Sequence, residues 1–160
     1  MLVYGGRRDP TGSTTIPHYD LWSYDLVSSG GWQNLAHTET QIEIRSSHQA
    51  VYDSLRDRMI VLPGTGDYNS PQTMLLGYTL ATSSWAILSD RSPTIGNYDH
   101  TVGAYDPGHD RIVMFTGHDL TGSGTNFVSV LSLTAPDGAR PPPAGRRRDA
   151  RMASLRFTIR

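Results

Sequence analysis

Short apolar segments separated by polar turns run through the first 136 residues of the chain. The segments are rich in Val, Ile, Leu, Tyr and Trp, and the connections are rich in Gly, Pro, Asp, Asn and Ser. Both features are typical of β-strands joined by tight turns. No long stretch keeps an apolar period of 3.6 residues, so the pattern predicts an all-β fold with about ten antiparallel strands.

The apolar segments recur with a period of 52 to 53 residues. One block begins with Arg45-Ser-Ser-His, continues through Tyr-Asp, Asp-Arg and an aliphatic run, and ends at Gly64. A second block, which begins at Asn97 and ends at Gly117, repeats the His, the Tyr-Asp, the Asp-Arg, the aliphatic run and the Gly. The first residues of the chain match the end of this block, so that Gly6 corresponds to the two later glycines. Self-similarity at a fixed period indicates a repeat architecture.

Each repeat predicts four short strands. In the hairpin between the first and second strands, Asp and Gly are expected to supply the turn conformations. A four-stranded antiparallel unit of about 50 residues, repeated in tandem, is typical of a propeller blade. In the second repeat the predicted strands lie at 48–53, 58–62, 74–80 and 84–88. The predicted units are a partial blade at 1–40, a complete blade at 41–92 and a third blade at 93–136.

The ordered motifs carry a family resemblance. They are Arg45-x-x-His48, Tyr-Asp, a strand that ends in Gly-Gly, and Asp-Leu-Trp-x-Tyr-Asp-Leu at 20–26 followed by Trp32. This set resembles the kelch repeat in its bacterial form, within the superfamily of the galactose oxidase central domain. The later repeats replace the first Gly of the pair, and the third repeat lacks the Trp. The resemblance implies a partial β-propeller of about two and a half to three four-stranded kelch-like blades over residues 1–136.

The recurring residues are expected to have structural roles. The Gly after the second strand is expected to allow positive φ and close approach of neighbouring chains. The Trp and Tyr residues are expected to pack between and beside adjacent blades, and the His residues to fix loops by hydrogen bonds rather than to bind metal. These structural residues are Gly6, Tyr24, Trp32, His48, Gly64, Tyr78, Trp85, His100 and Gly117. Arg45, Asp53, Asp57 and Asp106 are expected to brace turns.

The connections between the second and third strands are long and differ from repeat to repeat, at 7–19, 65–72 and 118–126. Because the strands alternate in direction, these connections emerge on the same face as those between repeats. Long, dissimilar loops on a repeated scaffold are where recognition usually resides. The sequence therefore predicts a partner-binding face, the alternative being loops that are simply solvated. The candidate residues of this face are Arg7, Arg8, Asp9, His18, Asp67, Tyr68, Asn69, Arg91, His118 and Asp119.

Composition excludes several classes of chemistry. The chain contains neither Cys nor Lys, which excludes disulfides, thiol nucleophiles, Walker A loops and Schiff-base lysines. The absence of Cys also excludes the copper chemistry of kelch-like oxidases, which needs a crosslinked Tyr–Cys pair. No nucleophile elbow, zinc-protease helix or EF-hand loop occurs, and no metal or other cofactor is expected. A carboxylate pair from Asp67 and Asp119 for glycoside hydrolysis is conceivable, but nothing in the sequence selects it.

Two functions remain open at this stage. The favoured one is a non-catalytic binding module, a kelch-type propeller segment that presents its loops to a protein partner. The alternative is a fragment of a propeller enzyme, glycan-active or oxidase-like, whose catalytic residues lie largely outside this chain. An incomplete propeller exposes apolar surface at its ends, so we also expect those ends to meet the remaining blades or to self-associate.

The charges are segregated along the chain. Residues 1–139 carry 7 Arg and 14 acidic residues, whereas residues 140–160 carry 7 Arg and Asp149 alone. An acidic body disfavours nucleic-acid binding, because it cannot neutralise phosphates. Residues 137–160, which contain three consecutive prolines and an Arg run, are expected to form a disordered tail. No membrane span and no signal peptide are expected from the chain, and its compartment is left open.

Overall fold

The structure of the protein is a computed structural model. The described residues are 1–8, 16–27, 30–35, 42, 44–66, 71–72, 74–89, 100–115, 117, 124 and 128–134. All regular structure in these ranges is β-strand, which confirms the predicted all-β class. The strands are β1 (Leu2–Arg8), β2 (Ile16–Tyr24), β3 (Trp32–Asn34), β4 (Ala50–Asp53), β5 (Arg58–Val61), β6 (Gly64–Thr65), β7 (Pro71–Gln72), β8 (Leu75–Thr79), β9 (Ser84–Ser89), β10 (Val102–Asp106), β11 (Arg111–Phe115) and β12 (Val128–Ser132).

The strands form three antiparallel sheets in chain order. The first sheet has the order β1-β2-β3, the central sheet β4-β5-β8-β9 and the third sheet β10-β11-β12. The central sheet contains all four strands that the sequence predicts for the second repeat, with ends that differ by at most two residues. Where the sequence predicts only a loop at 65–72, β6 and β7 form an additional two-stranded ribbon.

The central and third sheets share the same pairing register. In the central sheet Met59 lies opposite Tyr78, and in the third sheet Ile112 lies opposite Leu131. These pairs occupy equivalent places in the two sheets, because Met59 and Ile112 each directly follow the Arg that begins the second strand of the sheet. The register therefore repeats with the sequence motifs, which shows that the periodicity extends to the backbone of the described strands.

The core lies on both faces of β5, all of whose residues are buried. Met59 and Val61 pack with Tyr4 of the first sheet. Ile60, which points to the opposite face, packs with Ile112 of the third sheet. Successive side chains of a strand point to opposite faces, so a strand that is apolar on both faces requires a packed layer on each side. The first and third sheets supply these two layers.

Asp residues close the two hairpins that precede β5 and β11. Asp57 and Asp110 adopt left-handed backbone conformations, with φ of 49° and 47°. Asp tolerates this region because its short polar side chain can hydrogen-bond nearby backbone. The sequence assigned this role to Asp and Gly together, but Gly108 does not adopt a positive φ. In both hairpins Asp therefore supplies the left-handed residue.

Removal of side-chain volume from β5 is expected to destabilise the fold strongly. Ile60 has no exposed surface, so Ile60→Ala should lower the free energy of unfolding by about 2–5 kcal/mol through lost burial and a residual cavity. Leu55→Ala is the matched control, because Leu55 is 60% exposed in a hairpin, and it should change stability by less than about 0.5 kcal/mol. Urea denaturation measures both values, and equal losses would contradict the two-sided core.

Candidate functional site

The strand connections lie at two opposite ends of the sheets. The loop end comprises the extension of β1 and β2 beyond Gly6 and the ribbon formed by β6 and β7. The hairpin end comprises the turns at 54–57 and 107–110. Antiparallel strands that run from one end to the other place consecutive connections at opposite ends. Of the predicted partner-binding residues, Arg7, Arg8 and His18 lie at the loop end.

Arg45 and Ser46 link the two extensions of the loop end. The Arg45 carbonyl accepts a hydrogen bond from the Gly6 N–H at 2.8 Å, and the Arg45 N–H donates to the His18 carbonyl at 3.3 Å. Ser46 exchanges two backbone hydrogen bonds with Thr65, at 2.7 and 2.8 Å. This segment, the 45–46 strap, therefore joins the first sheet to the β6–β7 ribbon through backbone hydrogen bonds.

The side chain of Arg45 anchors the strap to the buried interior. It is fully buried, and its Nη1 donates to the Leu62 carbonyl at 3.0 Å and to the Met74 carbonyl at 2.8 Å. Carbonyl acceptors of this kind lower the cost of burying a guanidinium. The two carbonyls flank the connection between β5 and β8, so Arg45 braces the base of that connection.

Gly6 and Gly64 at the loop end are needed for different reasons, one for its positive φ and the other for close approach. Gly6 has a φ of 109°, a conformation that residues with a β-carbon rarely adopt. Gly64 instead permits close approach, because a β-carbon there would lie 2.5 Å from the Ser46 carbonyl oxygen. Gly64 therefore lets the 45–46 strap pass close to β6, whereas Gly6 supplies a backbone conformation. Gly117 follows β11 at the corresponding position.

His48 is a buried imidazole beside the strap. Its ring lies edge-on to Tyr4 with centroids 5.7 Å apart. Burial, together with the nearby charge of Arg45, lowers the pKa of His48 from 6.5 to about 4, although a hydrogen bond with the Tyr4 backbone opposes the shift. Its Nδ1 is buried and has no hydrogen-bond partner among the described residues. Protonation would add a buried donor without an acceptor, so His48 is neutral at pH 7.

His100, the counterpart of His48 in the third repeat, connects the central and third sheets. Its backbone N–H donates to the Ser47 carbonyl at 3.0 Å, and its φ of 53° is left-handed. The Gln49 side chain makes a second link, since it accepts a hydrogen bond from the Gly103 N–H. The His-containing segments thus lie where one sheet passes to the next.

The two tryptophans at repeat positions have different surroundings. The Trp85 ring lies 4.9 Å from Tyr4 and 5.1 Å from Tyr78, and so packs between the first and central sheets. Trp32 lies 5.1 Å from Tyr24 within the first sheet, but it is 51% exposed. The sequence predicts both rings between adjacent blades. Trp32 differs because it lies on the outer face of the first sheet, against which no described sheet packs.

Three of the predicted partner-binding residues lie in the described part of the chain. Arg7 and Arg8 are exposed at the end of β1, and His18 lies on β2 opposite Gly6. The register places Arg8 and His18 on one side of the extension and Arg7 on the other. The remaining candidates lie outside the described residues: Asp9, Asp67, Tyr68, Asn69, Arg91, His118 and Asp119.

Sequence reasoning missed a clamp at the hairpin end. Arg56 of the central sheet donates two parallel hydrogen bonds to Asp110 of the third sheet, at 2.8 and 2.7 Å. It also donates to the Leu133 carbonyl at 2.9 Å and to Asp53 at 3.2 Å. The Arg56 guanidinium holds the pKa of Asp110 below its usual range. A bidentate pair of this type fixes orientation as well as distance.

The hairpin end also repeats its own local contacts. Arg58 pairs with Asp53 at 2.9 Å, and Arg111 pairs with Asp106 at 2.8 Å. Each pair joins the residue that opens the second strand to the one that closes the first. The position of Arg56 is taken by His109 in the next repeat. The clamp is therefore not visible as a recurring sequence motif, because Arg in one repeat corresponds to His in the next.

The described part of the chain contains no group of three or more His, Asp or Glu side chains placed to hold a metal ion. Its residues also form no helix long and apolar enough to cross a membrane. No protein-family model matches the chain, and no curated protein matches it either.

Loss of the inter-sheet clamp is expected to destabilise the protein. Arg56→Gln should lower the free energy of unfolding by about 1–3 kcal/mol at pH 7, because Asp110 loses its charged donor. Arg111→Gln is the control and should cost less than about 1 kcal/mol, because its ion pair is local and more exposed. The Arg56→Gln effect should shrink in acid, since stability from a carboxyl with a lowered pKa is lost as pH falls through the folded pKa. Urea denaturation at several pH values tests both statements.

His48 is expected to make stability depend on pH between about 4 and 6.5. In this interval the unfolded chain binds a proton at His48 and the folded chain does not, so the free energy of unfolding falls as pH falls. His48→Gln should reduce this slope. Identical slopes in wild type and His48→Gln would show that the buried imidazole does not control the pH dependence.

Proposed function

We propose that the chain is a non-catalytic binding module, a kelch-type propeller segment that presents its loop end to a protein partner. The observation that carries the proposal is the 45–46 strap. It holds the extension of β1 and β2 beside the β6–β7 ribbon through backbone hydrogen bonds from Gly6, to His18 and with Thr65. Binding loops need such a rigid base, because a loop ordered only on binding loses affinity to the entropy of ordering.

The stacking of the sheets supports the propeller part of the proposal. Three antiparallel sheets follow one another along the chain, and the central one buries both faces of β5. Trp85 lies between two of the sheets, in contact with Tyr4. Face-to-face stacking of repeated small antiparallel sheets is the organisation of propeller blades. Further blades, from this or another chain, would cover the outer faces of the first and third sheets.

The described loop end favours a partner with acidic side chains. Arg7 and Arg8 are exposed beyond the point where Gly6 bonds to the strap. Guanidinium groups bind carboxylates through paired, charge-assisted hydrogen bonds, and Arg is enriched in protein interfaces. The His18 position shares one side of the extension with Arg8. We therefore assign the primary contact to an acidic segment of a protein partner.

A displayed peptide library tests this function and selects the partner sequence at the same time. The immobilised chain should enrich peptides that contain Asp and Glu. The double variant Arg7→Gln/Arg8→Gln should weaken binding of the enriched peptides at least about tenfold, the effect of losing one or two charge-assisted pairs. Arg111→Gln, which removes a guanidinium at the hairpin end, should bind as the wild type does. No enrichment, or equal binding by the double variant, would contradict the proposal.

A further inference from the structure

We propose that two copies of this chain associate head to tail, with Phe115 of one copy packed on Trp32 and Tyr24 of the other. The inference rests on the proposed propeller organisation and names the partner of its two outer faces. Its basis is an aromatic contact between the first and central sheets, in which a ring of one sheet covers a Trp–Tyr pair of the other. An uncovered Trp–Tyr pair lies on the outer face of the first sheet, and an exposed ring lies on the outer face of the third sheet.

The template is the aromatic contact between the first and central sheets. Trp85 and Tyr78 form a tilted pair on the central sheet, with centroids 5.1 Å apart and planes at 57°. Tyr4 of the first sheet packs on this pair, 4.9 Å from Trp85. Tyr4 and Tyr78 are buried in the resulting cluster. One sheet thus contributes a Trp–Tyr pair, and the preceding sheet contributes a ring from β1, next to its Gly-Gly pair.

The outer face of the first sheet carries the same pair without the covering ring. Tyr24 and Trp32 lie 5.1 Å apart with planes at 53°. They lie opposite each other in the strand register, as Tyr78 and Trp85 do. Trp32 nevertheless remains 51% exposed, whereas Trp85 is largely covered. The arrangement matches the template in geometry and lacks only the ring that Tyr4 provides there.

The outer face of the third sheet carries the matching ring. Phe115 stands two residues before Gly117, as Tyr4 stands two residues before Gly6. Ile112 and Met114 pack against the central sheet, so the alternation of side chains along β11 directs Phe115 away from it. Phe115 is 56% exposed. Val102, opposite Phe115, and Val130, opposite Val113 on the same face, are also exposed apolar residues.

A second copy fits these two faces because each copy supplies both halves. The third sheet of one copy can cover the first sheet of the other, and the reciprocal contact then closes a ring of six sheets with two-fold symmetry. Heterologous contacts that close in this way produce a discrete assembly rather than a filament. The contact buries the rings of Phe115, Tyr24 and Trp32 together with aliphatic side chains, and burial of apolar surface favours association. The charged residues on the outer face of the third sheet, Arg111 and Asp106, already pair with each other at 2.8 Å.

Sedimentation velocity on the full chain, from low to high micromolar concentration, tests the proposal. The wild type should show a concentration-dependent monomer–dimer equilibrium, with a blue shift of Trp fluorescence as the dimer forms. Phe115→Ser and Trp32→Ser should each raise the dissociation constant at least about tenfold, as loss of one buried aromatic ring predicts. Phe115→Tyr, which places the template residue at this position, should retain the dimer. Leu55→Ser, which alters an exposed apolar residue of the hairpin end, should also retain it.

Mixing the two weakened variants tests the head-to-tail geometry. A mixture of Phe115→Ser and Trp32→Ser chains contains one junction with both native partners, so it should associate more tightly than either variant alone. A wild type that is monomeric at every concentration, or that forms an open series of larger species, would overturn the proposal. Absence of rescue in the mixture would overturn the pairing of Phe115 with Trp32.

The outcome is separable from that of the proposed binding function. The peptide-library assay uses Arg7 and Arg8 at the loop end, whereas association uses the outer faces of the first and third sheets. A chain that remains monomeric but enriches acidic peptides would refute only the head-to-tail contact. A dimer that enriches no peptide would refute only the binding function.

Discussion

Burial of both faces of β5 is the constraint on which the rest of the structure depends. Four consecutive apolar side chains, from Met59 to Leu62, point alternately to two clusters on opposite sides of one sheet. A strand without a polar face cannot lie against solvent, so a sheet must stack on each side of it. The same repeat pattern in the first and third sheets leaves each with one covered and one outer apolar face.

Two arginines set how the stacked sheets are joined at their ends. At the loop end Arg45 satisfies the carbonyls of Leu62 and Met74, and its backbone bonds to the first sheet. At the hairpin end Arg56 clamps Asp110 of the third sheet. Apolar contacts are non-directional, whereas a guanidinium with several fixed acceptors allows one orientation only. These contacts therefore define the relative placement that burial alone leaves undetermined.

The proposed activities follow from this division between rigid scaffold and exposed ends. The 45–46 strap keeps the loop end in place, so that Arg7 and Arg8 are presented on a fixed base. The outer faces repeat the chemistry of the inner ones, since Tyr24 with Trp32 reproduces the pair formed by Tyr78 with Trp85. The proposed association would repeat between two chains a contact that one chain makes between its first and central sheets.

The period, the strands and the turns were determined by the sequence itself, because they depend on side-chain alternation and on local hydrogen bonds of residues such as Asp53 and Asp57. The ends of the strands in the central sheet accordingly differ from prediction by at most two residues. Of the candidate site, the sequence predicted long connections after β1 and β5, but neither the strap that joins them nor the exposure of Arg7 and Arg8.

Only the tertiary structure decided what stands beside each strand. Arg56 meets Asp110 across 54 positions of sequence, and no local pattern records that pairing. His48 has a pKa lowered to about 4 because packing buries it beside Arg45, and Trp32 is exposed because no described sheet covers it. Burial, charge pairing and desolvation arise from neighbours that are distant in the chain, so their effects appear only when the sheets stack.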